Sequence, residues 1–189
     1  MSFDPGAFAA RVDSVDGFQS PNKFRVRILP RTMEADRVLE FLCFATDIPQ
    51  VGFATSAVKP LGYGTLTRNA ALGPSYGGGA VNLNFYDDNA KTVYTFFRKW
   101  QQKVSDSEYA PGDGPAGPFK LGYLDDYAAR VSITTFSQDG ATNNRVLLHD
   151  AWPFSVGPSR LDWTSRDQVG VLPVTLMFTS VTHSLLELE

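Results

Sequence analysis

The 189-residue chain is 43% hydrophobic and 20% charged, with 14 Phe and a formal net charge of −3. That composition supports one well-buried core and is unlike a disordered chain. It lacks the basic excess needed to grip nucleic acid through phosphates, and its single cysteine, Cys43, excludes an intrachain disulfide. No stretch approaches the roughly 20 apolar residues of a membrane span, and the N-terminus shows no basic-then-apolar signal pattern. A soluble protein, intracellular when made, is expected.

Met1–Gly17 has weak periodicity; Pro5 is placed to open a short helical turn ending near Asp13. Ser20-Pro21-Asn22 punctuates the chain. From Lys23 to Ile28, Phe24, Val26 and Ile28 alternate with Lys23, Arg25 and Arg27, which predicts a half-buried strand. Pro30–Arg37 is polar and turn-like. Val38–Ala45 is nearly continuous apolar sequence, which predicts a strand covered on both faces and closed by Pro49.

Residues 51–79 change character, with Lys59-Pro60-Leu61-Gly62-Tyr63-Gly64, Gly73-Pro74 and Gly77-Gly78-Gly79. A connection this long with little pattern of its own is uncommon in a compact domain. Phe53, Leu61, Tyr63, Leu66, Leu72 and Tyr76 are too many apolar side chains for a free linker. The segment reads as an arm that becomes ordered against something else.

Val81, Leu83 and Phe85 then alternate with Ala80, Asn82 and Asn84 as a one-sided strand. Asp87-Asp88-Asn89 offers a helix cap. Val93, Phe96, Phe97, Trp100 and Val104 recur at helical spacing, predicting an amphipathic helix of about four turns. Lys91, Arg98, Lys99, Gln102 and Lys103 lie on its opposite face. A second Pro/Gly-rich loop follows to Leu121. Tyr127, Ala129, Val131 and Ile133 predict a strand whose alternate face carries Arg130, Ser132 and Thr134. Asp139-Gly140, within Ser137–Asn144, marks a hairpin, and Val146–His149 is its returning strand. A loop is expected to carry Trp152 and Trp163. Leu172, Val174, Leu176 and Phe178 form the last clear strand, in which Pro173 requires an edge or a strand start.

No catalytic or metal-binding constellation emerges. Gly112-Asp113-Gly114-Pro115-Ala116-Gly117 spells a dinucleotide-binding fingerprint, but no strand leads into it and no helix follows. Gly77-Gly78-Gly79 likewise precedes neither a helix nor a Lys-Ser/Thr pair. His149 and His183 have no second ligand at metal spacing. Asp87-Asp88 reads as a cap and Asp125-Asp126 as a turn. Cys43, within an apolar run, lacks the setting that lowers a thiol pKa. The Lys23/Arg25/Arg27 stripe suits a solvated strand face or an ion pair between subunits. No enzyme activity, cofactor or metal is expected.

An ordered set of landmarks resembles the tail tube proteins of contractile-tailed phages. It comprises Ser20-Pro21-Asn22-Lys23-Phe24, Phe41–Pro49, Phe85-Tyr86-Asp87-Asp88-Asn89, Lys99-Trp100-Gln101, Trp152-Pro153 through Gly157, Leu161-Asp162-Trp163, and Pro173-Val174-Thr175-Leu176. Related tubes serve phage-tail-like particles and type VI secretion. The resemblance implies a mainly β fold with one flanking α-helix: a small β-barrel or orthogonal β-sandwich of about six or seven strands. It also implies a single domain over residues 1–189, with an inter-ring arm at 51–79. The loop at 106–121 is an insertion relative to a minimal subunit, and the tail after Phe178 is extended.

The resemblance further implies stacked, hexameric rings in a virion tail assembled in the host cytoplasm, with a channel for non-specific DNA passage. Sheath, baseplate, tail-terminator and tape-measure proteins are the implied partners, with no membrane insertion. On this reading Phe53, Leu61, Tyr63, Leu66, Leu72 and Tyr76 make inter-ring contacts. Asn82, Asn84, Ser132 and Thr134 face the channel or a neighbour, and Trp100, Trp152 and Trp163 are structural anchors. Six copies would carry six times the formal −3 charge, and DNA would slide past a bore bearing enough of it. Two alternatives are a tube-like baseplate protein that starts the tube and a β-sandwich module binding a glycan on Trp152 and Trp163.

Overall fold

The computed structural model describes residues 19–34, 37–58, 68–76, 78–105, 121–159 and 168–185. Nine strands and three helices lie among them: β1 (Phe24–Pro30), α1 (Val38–Leu42), β2 (Cys43–Thr46), β3 (Gly52–Val58), β4 (Arg68–Ser75), β5 (Ala80–Tyr86), α2 (Thr92–Val104), α3 (Leu124–Tyr127), β6 (Ala129–Phe136), β7 (Thr142–Val156), β8 (Val171–Met177) and β9 (Ser180–Leu185).

The strands form two layers that share one member. Sheet A runs β1-β6-β7-β9 and sheet B runs β7-β8-β5-β2, all antiparallel. The first half of the 15-residue strand β7 pairs with β6 and β9; its second half pairs with β8. The strand turns its corner at Asp150, whose φ of 51° is left-handed. Aspartate tolerates that region better than most residues. Arg31 fastens the corner, donating to the Asp150 carboxylate at 3.3 Å and to Asp125 at 2.6 Å. A strand switching sheets at a bend is how an orthogonal sandwich closes its edge.

Alternation fills the space between the layers. Val26, Ile28, Val131, Ile133, Val146 and Leu148 come from sheet A, while Val81, Leu83, Phe85, Leu172, Val174 and Leu176 come from sheet B. Helix α2 adds Val93, Phe96, Phe97 and Trp100 to the same core. Phe97 lies 5.2 Å from both Phe85 and Phe96, measured between ring centroids. The mainly β fold with a flanking helix therefore stands as expected, as do strands β1 and β5 and the amphipathic helix.

Five local expectations are corrected. Val38–Leu42 is a short helix, and only Cys43–Thr46 of that apolar run is strand. Helical turning buries Leu39, exposes Phe41 (76%) and brings Glu40 to Arg27 at 3.1 Å; a nearly continuous apolar run carries too little period to tell these states apart. Tyr127 ends the short helix α3 rather than opening β6. Trp152 lies in β7, not in a loop.

Strand β9 adds an edge beyond Phe178. Its exposed Thr182, His183 and Ser184 dilute the strand signal. Pro173 lies in a strand flanked on both sides. Its carbonyl accepts from Gly157 just past the last β7 rung, Val156 opposite Val174, so the missing N–H falls where that ladder ends.

Candidate assembly surfaces

Residues 51–79 contain structure of their own. Strands β3 and β4 pair with each other in a separate two-stranded sheet. Phe53 stands opposite Pro74, and Leu72 is the extra residue of a bulge between the Ala54–Gly73 and Thr55–Ala71 pairs. Phe53 is 69% and Leu72 70% exposed, and Val51 and Pro74 are exposed beside them. An isolated two-stranded hairpin is marginal in water, and this one turns its largest apolar side chains outward. Tyr76 instead turns back to the subunit, packing against the core with its ring edge-on to Phe178 at 6.5 Å. Leu61, Tyr63 and Leu66 lie outside the described residues.

The arm returns to the body through a turn that needs glycine. Gly79 has φ +67°, and a Cβ there would stand 2.9 Å from the carbonyl oxygen of Phe178. That carbonyl approach accompanies a hydrogen bond from the Phe178 N–H to the Gly79 oxygen at 2.8 Å.

The channel candidates fall on two different surfaces. Asn82 and Asn84 alternate with the core residues of β5 and so point outward from sheet B. Ser132 and Thr134 alternate with Val131 and Ile133 and point outward from sheet A. The core lies between them, so the two pairs face away from each other. Ser132 is nevertheless only 5% exposed, in the row between Arg27 and Leu147, with its hydroxyl 3.4 Å from that of Thr134.

Trp100 and Trp152 lie at different junctions. Trp100 is fully buried; its indole N–H donates to the Tyr127 carbonyl at 2.6 Å, tying α2 to α3. Trp152 is half-buried and meets Tyr127 and Phe154 edge-on at 6.2 and 6.1 Å. A shallow groove beside it is lined by Arg98, Gln101, Val104 and Phe154. Trp163 lies outside the described residues.

Several titratable groups singled out in the sequence have structural partners. Asp88 accepts the N–H groups of Thr92 at 3.0 Å and Val93 at 3.3 Å, capping α2. Burial raises its pKa, but the hydrogen bonds from Thr92 and Val93 outweigh this and hold the carboxyl below its ordinary 3.8. Asp87 takes Lys91 at 2.5 Å and the Ser159 hydroxyl at 2.8 Å. Asp125 pairs with Arg31, and Thr32 donates to the Asp126 carbonyl. His149 Nε2 lies 2.9 Å from the Thr182 hydroxyl, while His183 is exposed on β9. Cys43 is buried, and that burial pushes its thiol to about 12, only partly offset by the Ala45 carbonyl contact. Among the described residues no three His, Cys, Asp or Glu side chains converge as a metal-ligand set. The Gly112–Gly117 fingerprint lies outside the described residues, as does the loop at 106–120; its flanks, Ser105 and Leu121, are bridged.

Known proteins share this architecture. A chain of the anti-feeding prophage baseplate aligns with a TM-score of 0.65 at 14% identity, covering 89% of this chain and 97% of that one. A chain of the sheath–tube complex of the extracellular contractile injection system PVC aligns at 0.58 and 13% identity, covering 98% and 100%. A chain of the anti-feeding prophage tube-terminating cap aligns at 0.57 and 14% identity, covering 89% and 91%. At such identities the likeness is one of fold. Comparison with curated proteins finds no significant match. The family model of the phage tail tube protein, by contrast, matches residues 19–184, nearly the whole chain, and the chain belongs to that family.

Proposed function

We propose that this chain is the repeating subunit of a contractile tail's tube, forming stacked six-membered rings around a passage through which DNA enters the host. The supporting observation is the β3–β4 hairpin. Among the described residues it pairs only with itself, while Phe53 and Leu72 face solvent. An arm of this kind gains its burial on a neighbouring subunit, here one in the next ring. Sheath, baseplate, terminator and tape-measure proteins are the partners of such a tube, and assembly takes place in the host cytoplasm. Negative-stain microscopy of concentrated protein tests the reading. Rings or tubes with a central hole are expected; monodisperse monomers under all assembly conditions overturn it.

A second reading is a tube-like baseplate component that starts the tube. Likeness in fold to the anti-feeding prophage baseplate chain favours it. Copy number in purified particles decides: one or two rings' worth supports the initiator, and many rings' worth supports the main tube.

A further inference from the structure

The sandwich turns two chemically different faces outward. On sheet A, the register sets Arg25, Thr134 and Arg145 in one row and Arg27, Ser132 and Leu147 in the next, with Arg130 beside Leu29. All four arginines are exposed. Glu40, on Arg27, is the one carboxylate in an ion pair with them among the described residues. On sheet B, the outward residues of β5 and β8 include Asn82, Asn84, Tyr86, Val171, Pro173 and Thr175, none of them charged. The Thr175 hydroxyl donates to Asn82 Oδ1 at 3.0 Å.

Resting on the ring reading above, we propose that the sheet B face carrying Asn82, Asn84 and Thr175 lines the bore, and that the arginine face of sheet A forms outer wall. The sandwich core separates the two faces, so a subunit presents only one of them to a central passage. Arginine forks bind phosphate oxygens, and each neutralised phosphate steepens the salt dependence of binding by about 0.9 logarithmic units. A bore repeating four arginines per subunit would hold a duplex in place. Amide and hydroxyl side chains that partly satisfy one another leave a wetted wall without fixed charge. The β5–β8 part of the bore wall is then non-adhesive because it carries no fixed charge, rather than through the chain's net negative charge.

Site-directed thiol labelling tests the assignment, because the native Cys43 is buried and reports little background. Asn82→Cys and Arg145→Cys subunits are assembled and treated with a small uncharged maleimide, or with a maleimide on a polymer too bulky to enter a tube. In tubes, the Asn82→Cys thiol keeps its reaction with the small reagent but loses about tenfold or more with the bulky one, since thiol reactivity follows access. The Arg145→Cys thiol stays within about twofold of the free subunit with both reagents. Any other pattern overturns the assignment: bulky labelling at Asn82→Cys, exclusion of both reagents there, or loss of either reagent at Arg145→Cys. Thr175→Cys and Arg130→Cys replace any variant that fails to assemble. If wild-type protein forms no rings, the ring reading falls and takes this assignment with it; rings with the wrong labelling remove only the assignment.

Discussion

Replacing Phe53 by serine separates folding from stacking. Phe53 is 69% exposed in the single subunit, so its loss removes little from the subunit's own core. A phenylalanine of about 200 Å² then has about 140 Å² left to bury on a neighbour, worth about 3.5 kcal/mol at 25 cal/mol per Å². Incomplete burial and ordering of the arm reduce this to about 2 kcal/mol, or roughly a 30-fold rise in the concentration needed for assembly. Sedimentation of tubes across a dilution series measures that concentration, and urea unfolding of the dissociated subunit measures folding. The expected result is a raised assembly threshold with subunit stability changed by less than about 0.5 kcal/mol. An unchanged threshold refutes the arm's role in stacking. A large loss of subunit stability instead shows that Phe53 serves its own fold.

Three further outcomes follow from the geometry. Trp100→Phe strips the donor from the Tyr127 carbonyl and costs about 1–3 kcal/mol in urea unfolding; no measurable loss removes the α2–α3 anchor. Asp88→Ala costs about 1 kcal/mol by uncapping α2. Because the folded pKa of Asp88 is lowered, its contribution is present above 3.8 and is lost as pH falls through the folded value. Wild type and Asp88→Ala thus converge in stability on acidification, and parallel pH curves refute the capping account. Cys43, with its thiol at about 12, stays unmodified by a disulfide reagent at pH 8 in folded protein (a value near the ~8.5 of a free thiol) and reacts once urea unfolds the chain.

Much of the sandwich was legible because its strands keep one wet face. Val26 and Ile28 in β1, and Val81, Leu83 and Phe85 in β5, declare their period in three residues or fewer. Helix α2 was equally clear from Phe96, Phe97 and Trp100 against Arg98 and Lys99. The Val38–Leu42 helix was hidden because four of its five residues are apolar. The β3–β4 hairpin was hidden for the opposite reason: none of its described residues is buried, so no buried side sets an alternation. Trp152 read as loop because the corner at Asp150 and the neighbouring Pro153 interrupt a strand that continues through them.

For the candidate surfaces, alternation identified outward residues but not which way outward. Asn82 and Ser132 carry the same sequence signal, yet the fold sends them to opposite sides of one core. Only the pairing order of β5 and β6, set by contacts distant in sequence, separates them.

Strand β7 runs unbroken through both layers of the sandwich. Sliding one layer over the other would have to stretch covalent backbone at Asp150, rather than merely slip one greasy surface past another. A subunit stitched this way resists shear between its two layers as a single block.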